Sequence, residues 1–229
     1  MLRIALAVVA FGSVAHADAP GIITGQVTYE SVDPPSLPEP KRDSDPKCPQ
    51  HVADDAVVVN HGKVVGALVR LSNGSMGKHN APKEPVVIDQ QGCSYSPHVV
   101  GLIAGQKLVV RNSDKTFHNV WGTLAGKDLL NKAQAPGAPE VTIDPSTAKA
   151  GDVIELKCGV HPWMHAYAVV QDHPYFAITD DKGAFTIKGL EEGTYTLESW
   201  QPVLGSKTMK VTIGKGARGK VSARLSYKP

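Results

Sequence analysis

The segment Cys158-Gly159-Val160-His161-Pro162-Trp163-Met164 places a thiol, an imidazole and a thioether close together in the chain. A second imidazole stands in Thr116-Phe117-His118-Asn119-Val120. These side-chain types are soft and borderline metal ligands. Thiolate favours Cu(I), and imidazole serves both oxidation states. Two imidazoles and a thiolate in a trigonal set, with a weak axial thioether, are the ligands of electron-transfer copper sites. Zinc is the competing metal, since a Cys/His set with one more ligand suits it. His165 adjoins Met164 and is the alternative fourth ligand in that case.

Such ligands need rigid elements to aim them, and the flanking sequence reads as strands. Residues 107–112 (KLVVRN) run into the His118 segment, and residues 153–157 run into Cys158. A tight loop after the second strand turns Cys158, His161 and Met164 around one point, and the neighbouring loop adds His118. Short β-branched runs also occupy 22–29, 57–59, 64–71, 86–89, 99–103, 141–143 and 166–171. Gly25 is expected to break the first of these. Asn60-His61-Gly62-Lys63 reads as a hairpin turn. Residues 122–139 carry Gly and Pro and are expected to form a loop with one helical turn. Residues 33–46 (DPPSLPEPKRDSDP) read as an extended, exposed, proline-rich linker.

The chain has 229 residues, of which 41% are hydrophobic and 20% charged, with a formal charge of +2. A charge-driven nucleic-acid binder is excluded as the default reading, and no nucleic-acid partner is expected. A highly charged disordered chain is excluded too. The 22 glycines and 17 prolines favour frequent turns and short strands. Met1-Leu2-Arg3, an apolar run over 4–14 and Ala15-His16-Ala17 have the layout of a secretory signal, residues 1–17, cleaved near Ala17. Cleavage removes Arg3 and lowers the charge to +1. The expected location is the periplasm or the outside of the cell. No transmembrane segment is expected in the mature chain, since no later run approaches about 20 apolar residues.

Disulfides persist in that compartment, where three cysteines leave one unpaired. Cys158 has metal-ligand neighbours and Cys48 and Cys93 have none, which favours a Cys48–Cys93 bond; the sequence itself permits three pairings. No Gly-x-Ser-x-Gly, phosphate-binding loop or His-Glu-x-x-His occurs, and no enzymatic activity is expected. His98 and His173, each beside a proline, are expected to be packing residues. His51, His61 and His79 are expected to be solvated.

The His-Asn-Val after a strand and the Cys-x2-His-Pro-aromatic-Met loop resemble the cupredoxins, and the loop looks most like that of amicyanin. The likeness covers roughly residues 86–172, including Cys93-Ser94-Tyr95-Ser96-Pro97-His98 before a glycine-led strand. It implies a Greek-key sandwich with copper held by His118, Cys158 and His161 in the equator and Met164 on the axis. Asn119 would bond across to the cysteine loop and hold the two loops in register. His161 would be the ligand nearest the surface. Pro162 and Trp163 would form an apolar rim that docks a redox partner protein, or Trp163 would simply cover the metal.

After His173 alternating strands are separated by the turns Asp180-Asp181-Lys182-Gly183 and Glu191-Glu192-Gly193. This stretch resembles the carboxypeptidase regulatory-like domain, a small transthyretin-like β-sandwich related in shape to carbohydrate-binding modules and to the second domain of rhamnogalacturonan lyases. Trp200 and Tyr227 are its only candidates for glycan contact, and core or edge packing is the expectation for both. The expected fold is thus all-β: a cupredoxin-like sandwich over 18–172, then a regulatory-like sandwich over 173–229 that packs on it or borrows an N-terminal strand. The leading functional expectation is a one-electron copper carrier. The alternatives are a copper chaperone or storage protein, and a carbohydrate-binding or cell-surface protein with a metal-free cupredoxin fold.

Overall fold

The computed structural model describes residues 20–31, 35, 41–42, 45–50, 56–72, 76–77, 79–214 and 220–229. The expected signal segment and His51 lie outside them. The described residues form no α-helix, and none is therefore long and apolar enough to cross a membrane. The strands are, in chain order, β1 (Gly21–Tyr29), β2 (Val58–Asn60), β3 (Lys63–Val65), β4 (Leu68–Leu71), β5 (Val86–Gln90) and β6 (Tyr95–Ser96). There follow β7 (Val99–Ile103), β8 (Leu108–Asn112), β9 (His118–Leu124), β10 (Lys127–Gln134), β11 (Val141–Ile143) and β12 (Val153–Lys157). The chain ends with β13 (His165–Gln171), β14 (Phe176–Ile178), β15 (Ala184–Leu190), β16 (Gly193–Gln201), β17 (Gly205–Ile213) and β18 (Lys220–Tyr227).

Two sandwiches result, and the strand pairing divides the chain differently from a boundary at 172/173. One sandwich is continuous in sequence. Its sheets run β10-β9-β12-β13-β7 and β11-β8-β5-β6. Ile88, Leu102, Leu108, Val110, Val120, Ile154 and Leu156 fill the space between them. The other is assembled from both ends of the chain. β1 pairs in parallel with β18 and antiparallel with β15, and β4 lies between β14 and β16. Strands β1 to β4 therefore belong with the C-terminal strands. The C-terminal strands leave sheet edges that the N-terminal segment pairs, so the expected borrowing extends to four strands.

Two local expectations are corrected. β1 continues through Gly25 rather than breaking there. A Cβ at that position would lie 2.3 Å from the Ala223 carbonyl and 2.6 Å from the Phe185 ring, so glycine serves close packing. Residues 118–134 form a hairpin, β9 with β10, where a loop with a helical turn was expected. Ala125 and Gly126, at φ +48° and +76°, supply the two left-handed residues of a tight hairpin turn. The same geometry occurs at His61 and Gly62, at φ +48° and +72°, as their sequence predicts.

The two sandwiches meet where Leu68, Val99 and Val169 are buried, with Phe176, Ile178 and Trp200 packed on them. Gly101 in β7 makes this contact possible, because a Cβ there would lie 2.4 Å from the Phe176 ring. Gly101→Ala is expected to destabilise the protein by about 1–3 kcal/mol through overpacking. Much of that cost should vanish in a Phe176→Ala background when both are measured by urea denaturation, since the clash has one partner.

Candidate metal centre

Period-two alternation along three strands aims the donors. In β9, His118 shares the inward face with Val120, while Asn119 and Trp121 turn outward. β12 buries Ile154 and Leu156, and Cys158 continues that phase one step past the strand. β13 buries Ala166 and Ala168, and Met164 continues their phase in the other direction. Antiparallel pairing of β9 with β12 and of β12 with β13 brings these ends together. A turn closed by Met164 N–H donating to the His161 carbonyl, at 2.9 Å, brings His161 into the same place.

The result is a buried triangle. Nδ1 of His118 and Nδ1 of His161 are 2.9 Å apart. The Cys158 Sγ lies 3.9 Å from the first and 3.7 Å from the second. A triangle with these sides has its centre about 2.1 Å from each corner, which is the length of a metal–imidazole bond. His118 is 0% exposed and Cys158 and His161 are 3% exposed. Met164 is buried in the same core cluster as Cys158. Burial pushes the His118 imidazole below its ordinary pKa, against the opposing pull of Asp114, and so favours the neutral form that a metal requires.

The surrounding residues lock the loops together. Asn119 Oδ1 accepts the Gly159 N–H at 2.9 Å, and its backbone N–H donates to the Cys158 sulfur at 3.4 Å. Its Nδ2 is held by Asn131 Oδ1 at 2.6 Å. The Tyr95 hydroxyl donates to the carbonyls of Lys157 and Asn119, at 3.1 and 3.3 Å. Burial first, and the nearby Cys158 second, push the Tyr95 phenol well above its usual range, so it stays a donor. Cys48 and Cys93 form a disulfide with Sγ atoms 2.03 Å apart.

Several sequence expectations change here. His165 points away from the triangle, with Nε2 3.0 Å from the Pro162 carbonyl and a side chain 36% exposed. It begins β13 on the face opposite Met164, so alternation removes it from the donor set. His161 is not a surface ligand. The segment 45–50 covers it, placing the Asp45 carboxylate 3.3 Å and the Cys48 Sγ 3.6 Å from its Nε2. The end of the expected exposed linker is thus packed, and Arg42 is buried against the carbonyls of Gly92 and Cys93. Trp163 is half-buried, donates from Nε1 to the Cys93 carbonyl at 2.9 Å and stacks near Arg42. Pro162 remains exposed.

Of the other residues singled out, Tyr227 is core, its hydroxyl donating to the Ser199 carbonyl at 2.9 Å, which removes it as a glycan contact. Trp200 is half-buried at the seam, edge-on to Tyr167. His173 is buried against the Leu71 carbonyl, a packing role. His61 is exposed, while His79 is partly buried edge-on to Tyr175. Sequence reasoning missed Asp45, Asp114 and Thr116. Only Asp114, four residues before His118, carried a local signal.

Asn119→Ala removes the acceptor for Gly159 N–H and is expected to cost about 1–2 kcal/mol of folding stability in thermal or chemical denaturation.

The family described as polysaccharide lyase family 4, domain II, matches residues 142–221. That match replaces the carboxypeptidase regulatory-like resemblance and begins before the expected boundary. No curated relative matches the sequence. Among solved structures, the chain is similar to a purple cupredoxin from Nitrosopumilus maritimus, at 22% identity over 38% of this chain and 99% of that one, with a TM-score of 0.31. It is similar to a copper(I) amicyanin variant at 18% identity over 38% of this chain and 82% of that one, TM-score 0.33. A copper-containing nitrite reductase from Thermus scotoductus shares 17% identity over 54% of this chain and 28% of its own, TM-score 0.33.

Proposed function

We propose that this chain is an exported type 1 copper protein that carries one electron per cycle to and from a partner protein, and that it is not an enzyme. The observation that supports this most is the convergence of two imidazole nitrogens and one cysteine sulfur on a single buried centre. His118, Cys158 and His161, with the neighbouring Met164, would hold the copper. Bound there, copper supplies one-electron redox chemistry. The chain's own contribution is rigidity. Asn119, Tyr95 and the β9–β12–β13 pairing keep the donors in one arrangement whatever the charge at the centre. The Asn119 N–H on the Cys158 sulfur withdraws electron density from the thiolate and tunes the potential.

One observation favours a second reading, a copper-holding protein that does not cycle: segment 45–50 covers His161 and separates it from solvent. Export to the periplasm or beyond rests on the N-terminal sequence and on the disulfide. Glycan contact, if the second sandwich makes any, falls to Trp200.

The test is a Cu(II) titration of the mature protein beside Cys158→Ser. The wild type should develop an intense visible thiolate-to-copper band and a narrow copper hyperfine splitting, and the variant should show neither. A reversible one-electron wave in voltammetry then separates carrier from store. A wild type without the thiolate band contradicts both copper readings.

A further inference from the structure

Both ligand imidazoles have a carboxylate on the edge that faces away from the triangle. The His118 Nε2 lies 2.8 Å from Asp114 Oδ2, and the His161 Nε2 lies 3.3 Å from Asp45 Oδ2. An ionised carboxylate only accepts hydrogen bonds, so each imidazole must carry its proton on Nε2 and turn the Nδ1 lone pair inward.

Neither carboxylate is free to swing. Asp114 accepts the backbone N–H of Gly92 on Oδ1 at 2.7 Å and that of Cys93 on Oδ2 at 2.9 Å. Asp45 accepts the Thr116 hydroxyl on Oδ2 at 2.5 Å and the Lys47 N–H on Oδ1 at 2.9 Å, and its carbonyl accepts the Cys48 N–H at 3.0 Å. One carboxylate is therefore anchored at Cys93 and the other beside Cys48, and the Cys48–Cys93 disulfide joins the two anchors.

We propose that Asp45 and Asp114 are the positioning residues of this metal centre, and that the disulfide makes them one frame that sets the tautomer, direction and donor strength of both imidazoles. This rests on the metal-site reading above and assigns a role to residues outside the donor set. Two carboxylates behind the imidazoles, together with the thiolate, put negative charge around the centre. That charge favours the more highly charged oxidation state and holds the reduction potential down.

The experiment has two parts. In the zinc-loaded protein, long-range proton–nitrogen NMR should show both His118 and His161 protonated on Nε2, with those protons protected from exchange. Asp114→Ala should expose the His118 proton, and Asp45→Ala the His161 proton. In the copper-loaded protein, Asp45→Asn and Asp114→Asn should each weaken the preference for Cu(II) over Cu(I) by about 10- to 100-fold, the range by which losing such a partner lowers metal affinity, with that loss falling on Cu(II). That is a rise of about 59 to 118 mV in midpoint potential for a one-electron couple. Asp144→Asn, at an exposed carboxylate just past β11 that accepts the Ser146 N–H, is the control and should leave the potential in place.

Potentials that match the control, or Nε2 protons that exchange equally with and without the carboxylates, overturn the proposal. The wild-type zinc spectrum tests it without any variant: a proton on Nδ1 of either histidine, or none protected on Nε2, is sufficient to reject it. If the zinc protein shows both protected protons but copper gives no thiolate band, the copper-carrier reading falls and the positioning role stands.

Discussion

Two imidazole nitrogens 2.9 Å apart, facing a cysteine sulfur inside a hydrophobic sandwich, set the terms for this protein. Two inward lone pairs at that distance repel unless a proton or a cation lies between them. The fold holds them there through covalent continuity with three paired strands and through hydrogen bonds behind them. Burial raises the cost of any charge left at this cluster without a counter-charge.

The rest of the architecture protects that arrangement. β9, β12 and β13 deliver His118, Cys158 and Met164 by the same alternation that builds the core, so the donors inherit the rigidity of the sheet. Asn119 and Tyr95 bridge the two donor loops. Segment 45–50, tied down by the disulfide, closes the edge at His161. The second sandwich grips the opposite edge of the same sheet, where Phe176 packs over Gly101 in β7. β7 is thereby fixed on both sides, and β13, paired with it, carries that support towards Met164.

Much of the buried cluster was legible because it is local. Cys158, His161 and Met164 are close in sequence, and His118 begins a strand with a clear apolar phase. The same alternation, followed one residue further, places His165 on the outer face. What was not legible depends on contacts between distant segments. Asp45 meets His161 across 116 positions, from a proline-rich stretch whose composition signals only exposure. The pairing of β1 with β15 and β18 likewise joins the two ends of the chain, and strand propensity does not name a partner. The β9–β10 hairpin was obscured by glycine and proline further along the segment, although Ala125-Gly126 marks its turn.

Whether these donors act together on one metal ion is tested most directly by X-ray absorption at the copper edge of the loaded protein. The account predicts a first shell of two nitrogen scatterers at about 2.0 Å with imidazole multiple scattering, and one short sulfur scatterer that is lost in Cys158→Ser. A shell made only of nitrogen and oxygen, unchanged by that substitution, would contradict it.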